Sequence, residues 1–221
     1  MRHAWNINLK EAREIQSYLA QKVRQTSPKQ SIRYIAGFDT AYGKGSRIAV
    51  AGMVVLSYPS LEIVDQAVQT QEITFPYIPG FLSFREAPAL MALIDSYSKP
   101  IDLFIFDGHG IAHPRGLGIA AHIGVLIDKP TIGCAKKKLV GTYQIPDNKL
   151  GASRPLMYKE KIIGQVIRTK INVKPVFVSV GHLISLEAAS ALVLGCVRRF
   201  RLPEPTRLAH NLVSSHRKKY G

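Results

Sequence analysis

Two apolar runs in this chain each stop at an aspartate. Tyr34-Ile35-Ala36-Gly37-Phe38 ends in Asp39, and Ile101-Asp102-Leu103-Phe104-Ile105-Phe106 ends in Asp107. Both runs read as strands. A carboxylate where a buried strand stops costs stability unless something nearby uses its charge. Asp107 also opens the block Gly108-His109-Gly110-Ile111-Ala112-His113-Pro114-Arg115. Its glycines leave the backbone bare, so a ligand can come close.

The elements around these runs follow from periodicity and turn residues. Apolar residues at helical spacing predict an amphipathic helix over 9–24. Strands are predicted over 32–39 and 47–57 with a turn at 41–46, and a third over 61–70 after the turn at Pro59-Ser60. Phe75-Pro76-Tyr77-Ile78-Pro79-Gly80 is too proline-rich for a helix or a strand interior. Ser83 can cap a helix starting near Phe84 and running to about Ser98, with Glu86 as its capping-box partner. Strand four covers 101–106. A helix near 117–128 leads to a short strand at 131–134. Strands near 155–158, 162–167 and 175–179 follow, and helices near 185–200 and 205–218 finish the chain. No repeat, low-complexity stretch or linker interrupts it, which predicts one domain over 1–221.

The early order is strand, strand, strand, helix, strand. Short turns make the first three an antiparallel meander, and a helical crossover lets strand four lie parallel to strand one. Asp39 and Asp107 then meet at one edge, and Glu86 on the first turn of the crossover helix can face them. This is the layout of the ribonuclease H-like fold, an α/β mixed sheet flanked by helices. Metal-dependent phosphodiester chemistry needs carboxylates at such a place.

Charge points the same way. Thirty Lys+Arg stand against 15 Asp+Glu, a net +15 in 221 residues. That excess favours a polyanionic partner, nucleic acid first and an anionic membrane surface second; the plainer alternative is a merely basic soluble protein. No helix pattern pairs a strong apolar face with a lysine-rich one, which argues against the membrane surface. No signal peptide is visible, and no apolar stretch approaches the roughly 20 residues a membrane span needs. Cys134 and Cys196 sit in apolar surroundings, as reduced thiols of a cytosolic protein would, so a cytoplasmic location is expected.

Four blocks of the sequence resemble the endonuclease V family of repair nucleases. They are Ala36-Gly37-Phe38-Asp39-Thr40-Ala41-Tyr42; Phe75-Pro76-Tyr77-Ile78-Pro79-Gly80 with Phe84-Arg85-Glu86; Asp107-Gly108-His109-Gly110 through His113-Pro114-Arg115-Gly116; and Ile132-Gly133-Cys134-Ala135-Lys136. Gly181-His182 with Ile184-Ser185 and Thr206-Arg207-Leu208-Ala209-His210 are weaker matches. Phe38 and Cys134 depart mildly from the family's usual residues and remove no functional group.

The resemblance implies Asp39, Glu86 and Asp107 as ligands of Mg²⁺, with Mn²⁺ able to substitute; hard divalent cations prefer such oxygens. On pattern alone Glu86 could be only a helix-capping carboxylate, and Asp107 only a turn residue. It implies His210 completing the acidic cluster, for a second metal or the attacking water, and Lys136 as a point charge on a phosphate. A histidine on a helix is otherwise a structural residue, and Lys136-Lys137-Lys138 otherwise a solvated basic surface. Pro76-Tyr77-Ile78-Pro79 resembles the family's strand-separating wedge, with Tyr77 stacking where a base has left; a rigid loop with Tyr77 packed inward is the alternative. Gly80, Gly108 and the stretch Leu117-Gly118-Ile119 match the family's pocket for the flipped base. His109 and His113, with Arg115, either contact the lesion strand or hold the loop in shape. Arg198-Arg199-Phe200-Arg201 and Arg217-Lys218-Lys219 read as solvated faces or a frayed tail, open to nonspecific DNA contact.

The resulting expectation is a monomeric endonuclease acting on DNA that contains deoxyinosine. It would cut the second phosphodiester bond 3′ to the lesion and leave 3′-hydroxyl and 5′-phosphate ends. The rivals are an inosine-directed ribonuclease, which needs only 2′-hydroxyl contacts to differ, and a non-catalytic protein that binds RNA, DNA or single strands.

Overall fold

The computed structural model describes residues 2–26, 31–43 and 45–220. Lys44, in the expected turn between the first two strands, lies outside them. The elements run α1 (Leu9–Ala20), β1 (Tyr34–Tyr42), β2 (Ile48–Ser57), β3 (Ile63–Glu72), α2 (Leu82–Ser96), β4 (Leu103–Phe106) and α3 (Ile119–Ile127). They continue with β5 (Thr131–Ala135), β6 (Ser153–Tyr158), β7 (Lys161–Ile167), β8 (Val176–His182), α4 (Leu186–Gly195) and α5 (Glu204–His216). No described helix is long and apolar enough to cross a membrane.

All eight strands form one sheet in the order β3-β2-β1-β4-β5-β8-β7-β6. The meander and the parallel β1–β4 pair arise as the order of elements predicts. The fold class expected from the sequence therefore holds. β5 joins β4 in parallel, and β8, β7 and β6 add antiparallel. One face packs Phe38, Phe104 and Phe106 against α2 and α3, where Leu90, Leu93, Ala120 and Ile123 are buried. The other face packs Ile35, Ile105, Ile132 and Val178 against α4 through Ala189 and Val193.

Several boundaries differ from expectation, each for a local reason. α1 stops at Ala20 because the next amides reach back only three residues, Lys22 N to Leu19 O and Val23 N to Ala20 O. β1 runs three residues past Asp39, since 39–42 still pair with 49–52 of β2. β3 starts late because Leu61 is in the left-handed region, φ 59°. β4 begins only at Leu103, because the Asp102 carboxylate accepts the Arg33 and Tyr34 amides at 2.9 Å and fixes the chain there. α2 begins at Leu82 with Phe81 at the cap position and no side-chain cap. Ser83 is therefore inside the helix, buried, with its hydroxyl 3.0 Å from His122 Nδ1, and the expected capping box with Glu86 does not form. α4 ends at Gly195 rather than near Phe200. Cys134 and Cys196 are buried, free thiols, and burial pushes the Cys196 thiol up to about 12.

α5 lies directly on β1 because Gly37 has no side chain. A Cβ there would sit 2.0 Å from the Pro205 carbonyl carbon. That close seat carries the last helix over Asp39.

Candidate functional site

β4 ends at Phe106, level with Phe38 of β1, while β1 continues. Beyond that point the sheet has a gap, and side chains from both faces reach it. Strand alternation sends Gly37 and Asp39 toward α5 and Phe38 and Tyr42 toward α2. Asp107 follows β4 immediately, and its amide donates to Phe38 O at 3.1 Å. Asp39 Oδ2 is 2.7 Å from Nδ1 of His210 on α5. Lys136, the first residue after β5, donates from Nζ to Asp107 Oδ2. One donor atom each from Asp39, Asp107 and His210 lies within 4.8 Å of the others.

Glu86 reaches the gap from the α2 side. Its Oε1 accepts a hydrogen bond from Tyr42 Oη at 2.9 Å. Burial pushes its carboxyl up to about 8; the Tyr42 bond opposes the rise, and the negative charges of Asp39 and Asp107 add to it. Burial also raises Asp39, and Asp107 raises it further, against lowering by His210 and Lys136. Carboxylates crowded in a poorly solvated place hold protons unless a cation replaces them. The donor set, two or three carboxylates and an imidazole, fits a hard divalent ion with mixed oxygen and nitrogen ligands.

Beside the gap is a cavity of about 160 Å³ lined by Tyr77, Ile78, Pro79, Gly80, Gly108, His109, His113, Leu117 and Gly118. Ile119 lines it too, and Leu82, Ser83 and Leu139, to which the motifs gave no pocket role, complete the lining. Tyr77 is 70% exposed, so it is not packed inward. Pro76 lies elsewhere, with Phe75 and Arg85 around a separate hollow.

The base of the Tyr77 loop is held by a single carbonyl. Gly80, at φ 78°, offers its oxygen to Gln16 Nε2 at 2.9 Å, His113 Nε2 at 3.1 Å and Arg115 Nη2 at 2.5 Å. Arg115 also donates from Nε to Gln16 and stacks its guanidinium 4.2 Å from the Phe81 ring centroid. Arg115 is thus engaged in fixing the loop and does not line the cavity. Because Gly80 O can only accept, His113 Nε2 carries the proton, and Nδ1 accepts the Arg115 amide at 3.2 Å. Burial, and then the Arg115 charge, lower His113 to about 4. Burial likewise lowers His109 to about 4, and its buried Nδ1 has no partner among the described residues.

The motifs had given no role to Tyr42 and Arg85. Arg85 lies over the Tyr42 ring at 4.9 Å and donates to Phe75 O at 3.0 Å, so these two tie the proline-rich segment to Glu86. The local signal was a tyrosine three residues after Asp39 and an arginine beside Glu86. Only the pairing of sheet and helix brings them together.

A family model described as Endonuclease V matches residues 17–211. An Endonuclease V from Roseiflexus castenholzii is 49% identical over 216 residues, covering 97% of this chain and 96% of that one. The crystal structure of the Endonuclease V from Streptomyces avermitilis superposes with a TM-score of 0.93 at 38% identity, covering 99% and 97% of the two chains. The Ciona intestinalis Endonuclease V, solved in complex with a 23-mer DNA containing an inosine followed by a ribo-adenosine, gives a TM-score of 0.84 at 30% identity, covering 97% and 100%.

Proposed function

Since the chain belongs to the endonuclease V family, we propose that it nicks DNA at deoxyinosine, hydrolysing the second phosphodiester bond 3′ to the lesion. The observation that carries this reading is the convergence of Asp39, Asp107 and His210 beside a small cavity flanked by an exposed tyrosine. The inosine-containing DNA bound by the Ciona relative supports the choice of lesion.

Asp39, Asp107 and Glu86 would hold Mg²⁺ or Mn²⁺. That ion would supply positive charge against the developing anion and would favour ionisation of water. Lys136, at the Asp107 carboxylate, can shift its ammonium to a phosphate oxygen when DNA arrives. His210 is half exposed and hydrogen-bonded to Asp39, which orients its ring to take a proton from the attacking water. Tyr77 stands out from a loop anchored at Gly80, where a flat ring can replace an extruded base in the stack. The displaced base would enter the cavity, whose wall includes His109 and the backbone of Gly108 and Gly118. One domain and a monomer suffice for this scheme.

The test is a labelled duplex with one deoxyinosine, incubated with Mg²⁺ or with EDTA, beside an undamaged duplex and the matching inosine RNA. A Mg²⁺-dependent nick one bond beyond the inosine's own 3′ phosphate is expected, leaving a 3′-hydroxyl. Intact DNA with a cleaved RNA strand would replace the substrate by RNA. No cleavage of either would leave a binding protein.

A further inference from the structure

The net charge is unevenly distributed along the chain. Residues 136–174 carry ten lysines and arginines against two acids, Asp147 and Glu160. The strand directions sort these cations. β4 and β5 run toward the catalytic end of the sheet, β8 starts there, β7 ends there and β6 starts there. The two ends of connection 136–152, and connection 168–175, therefore lie on the rim that carries Asp107 and Lys136. Between those ends Thr142 pairs with Met157 toward the far end of β6, where the β6–β7 turn holds Lys159 and Glu160, both at positive φ.

The rim is braced. Arg168 is nearly buried and gives its guanidinium to the carbonyls of Pro146, Asp147 and Val173. Asn148 Nδ2 donates to Asn172 Oδ1 at 2.6 Å, and the Asn172 amide returns to Asn148 Oδ1 at 2.8 Å. Arg201 bonds the carbonyls of Lys136 and Pro175, both at 2.6 Å, so the rim is tied to the catalytic loop. Two arginines are thus committed to backbone. Lys137, Lys138, Lys149, Lys170 and Lys174 stand exposed on this frame, with Lys170 Nζ donating to Arg199 O at 3.1 Å. Among the described salt bridges, none involves these lysines. Held cations on a fixed frame bind a regular polyanion without the ordering cost that flexible lysines carry.

We propose that this braced rim docks the sugar–phosphate backbone of the duplex flanking the cut. The proposal deepens the nuclease reading and rests on it. Three strand spacings of about 4.8 Å separate β5 from β6, roughly 14 Å in all. At about 3.4 Å per base pair, the outer lysines meet phosphates about four base pairs from the scissile bond.

The experiment compares the full-length protein, the rim variant K149Q/K170Q/K174Q and a control, K159Q/K161Q, whose lysines are exposed on the same hairpin at the other end of the sheet. Binding to an undamaged 24-base-pair duplex is followed by fluorescence anisotropy over a KCl series in EDTA. Each lost phosphate contact lowers the log–log salt slope by about 0.9, so the rim variant should lose nearly 3 and weaken roughly tenfold or more. The control should match the wild type. The enzyme concentration for half-maximal nicking should rise in the rim variant alone. Equal losses in both variants would mean diffuse attraction by net charge, and an unchanged rim variant would mean that DNA does not reach the rim; either overturns the proposal. Nicking of an inosine duplex by the wild type is scored separately. Failure of the nuclease reading therefore shows in cleavage, and failure of the rim shows in the slopes.

Discussion

Tyr42 holds Glu86 where Asp39 and Asp107 also act on it, and a single hydroxyl does so. Removing it leaves a partly buried carboxyl group with one donor fewer, a change worth about 1–3 kcal/mol. Tyr42→Phe is expected to lower nicking roughly tenfold at limiting Mg²⁺ and to raise the Mg²⁺ concentration for half-maximal rate, with little loss at saturation. A variant equal to wild type across a Mg²⁺ titration would show that Glu86 needs no such support. Tyr77 works differently, because its ring is largely exposed and contributes little to the fold. Tyr77→Ala should weaken binding to an inosine duplex by about 1–3 kcal/mol while changing affinity for plain duplex much less. Equal losses on both substrates would remove the wedge role. At this scale much was legible. Asp107 before glycine, Lys136 after a short strand and the proline-flanked Tyr77 are marked by their neighbours in sequence. Tyr42, Arg85 and the engagement of Arg115 were not, because each is defined by a partner on another element.

At the scale of elements, two contacts set where helices lie. Gly37 lets α5 rest on β1, and His210 reaches Asp39 only from that seat. Gly37→Ala should force α5 off the strand, destabilise the protein by about 1–3 kcal/mol and abolish nicking. A variant with wild-type thermal stability and activity would contradict the geometry. The second contact is a directed chain of hydrogen bonds. Ala4 O accepts from His3 Nδ1, so His3 Nε2 must accept from His122 Nε2, and His122 Nδ1 from Ser83 Oγ. This chain fastens residues 3–5 to α2 and α3. Burial holds His122 well below the usual imidazole range, and His109 and His113 at about 4. Below about pH 6.5 the unfolded chain takes up protons that these folded imidazoles refuse, so stability falls with pH by up to about 1.4 kcal/mol per unit for each. Glu86 has the opposite sign. Its folded value is about 8, so the folded state binds that proton first and gains as pH falls. His3 and His182 are lowered as well and Asp39 is raised, so the lowered histidines outnumber the raised carboxyls and stability falls overall as pH drops from 6 to 5. Urea midpoints in EDTA should drop over that interval, and less steeply in His122→Asn. A flat midpoint would mean that the imidazoles are solvated.

Across the whole molecule, the same crowding of carboxylates would make a bound divalent ion a folding ligand. An ion that binds only the native state at about 100 times its Kd adds about 2.7 kcal/mol. Melting in Mg²⁺ should therefore exceed melting in EDTA, and Asp107→Asn should abolish the difference together with nicking while DNA binding survives. An equal shift in both proteins would place the ion elsewhere. The sequence by itself determined the arrangement of the first four strands, with the parallel pairing of β1 with β4, the acidic pair at its end and the basic character of the surface. These depend on local periodicity, turn residues and composition, which neighbouring residues carry. The tertiary structure alone decided that Asp39 and Glu86 approach the gap from opposite faces of the sheet. It also decided how His210, which the family resemblance implies, is carried across 171 residues to Asp39, and that the rim lysines share the catalytic end while Lys159 and Lys161 do not. The physical reason is that those placements depend on where β4 stops, on the missing Cβ of Gly37 and on strand direction across the sheet. All three are fixed by pairing between distant segments and carry no local signature.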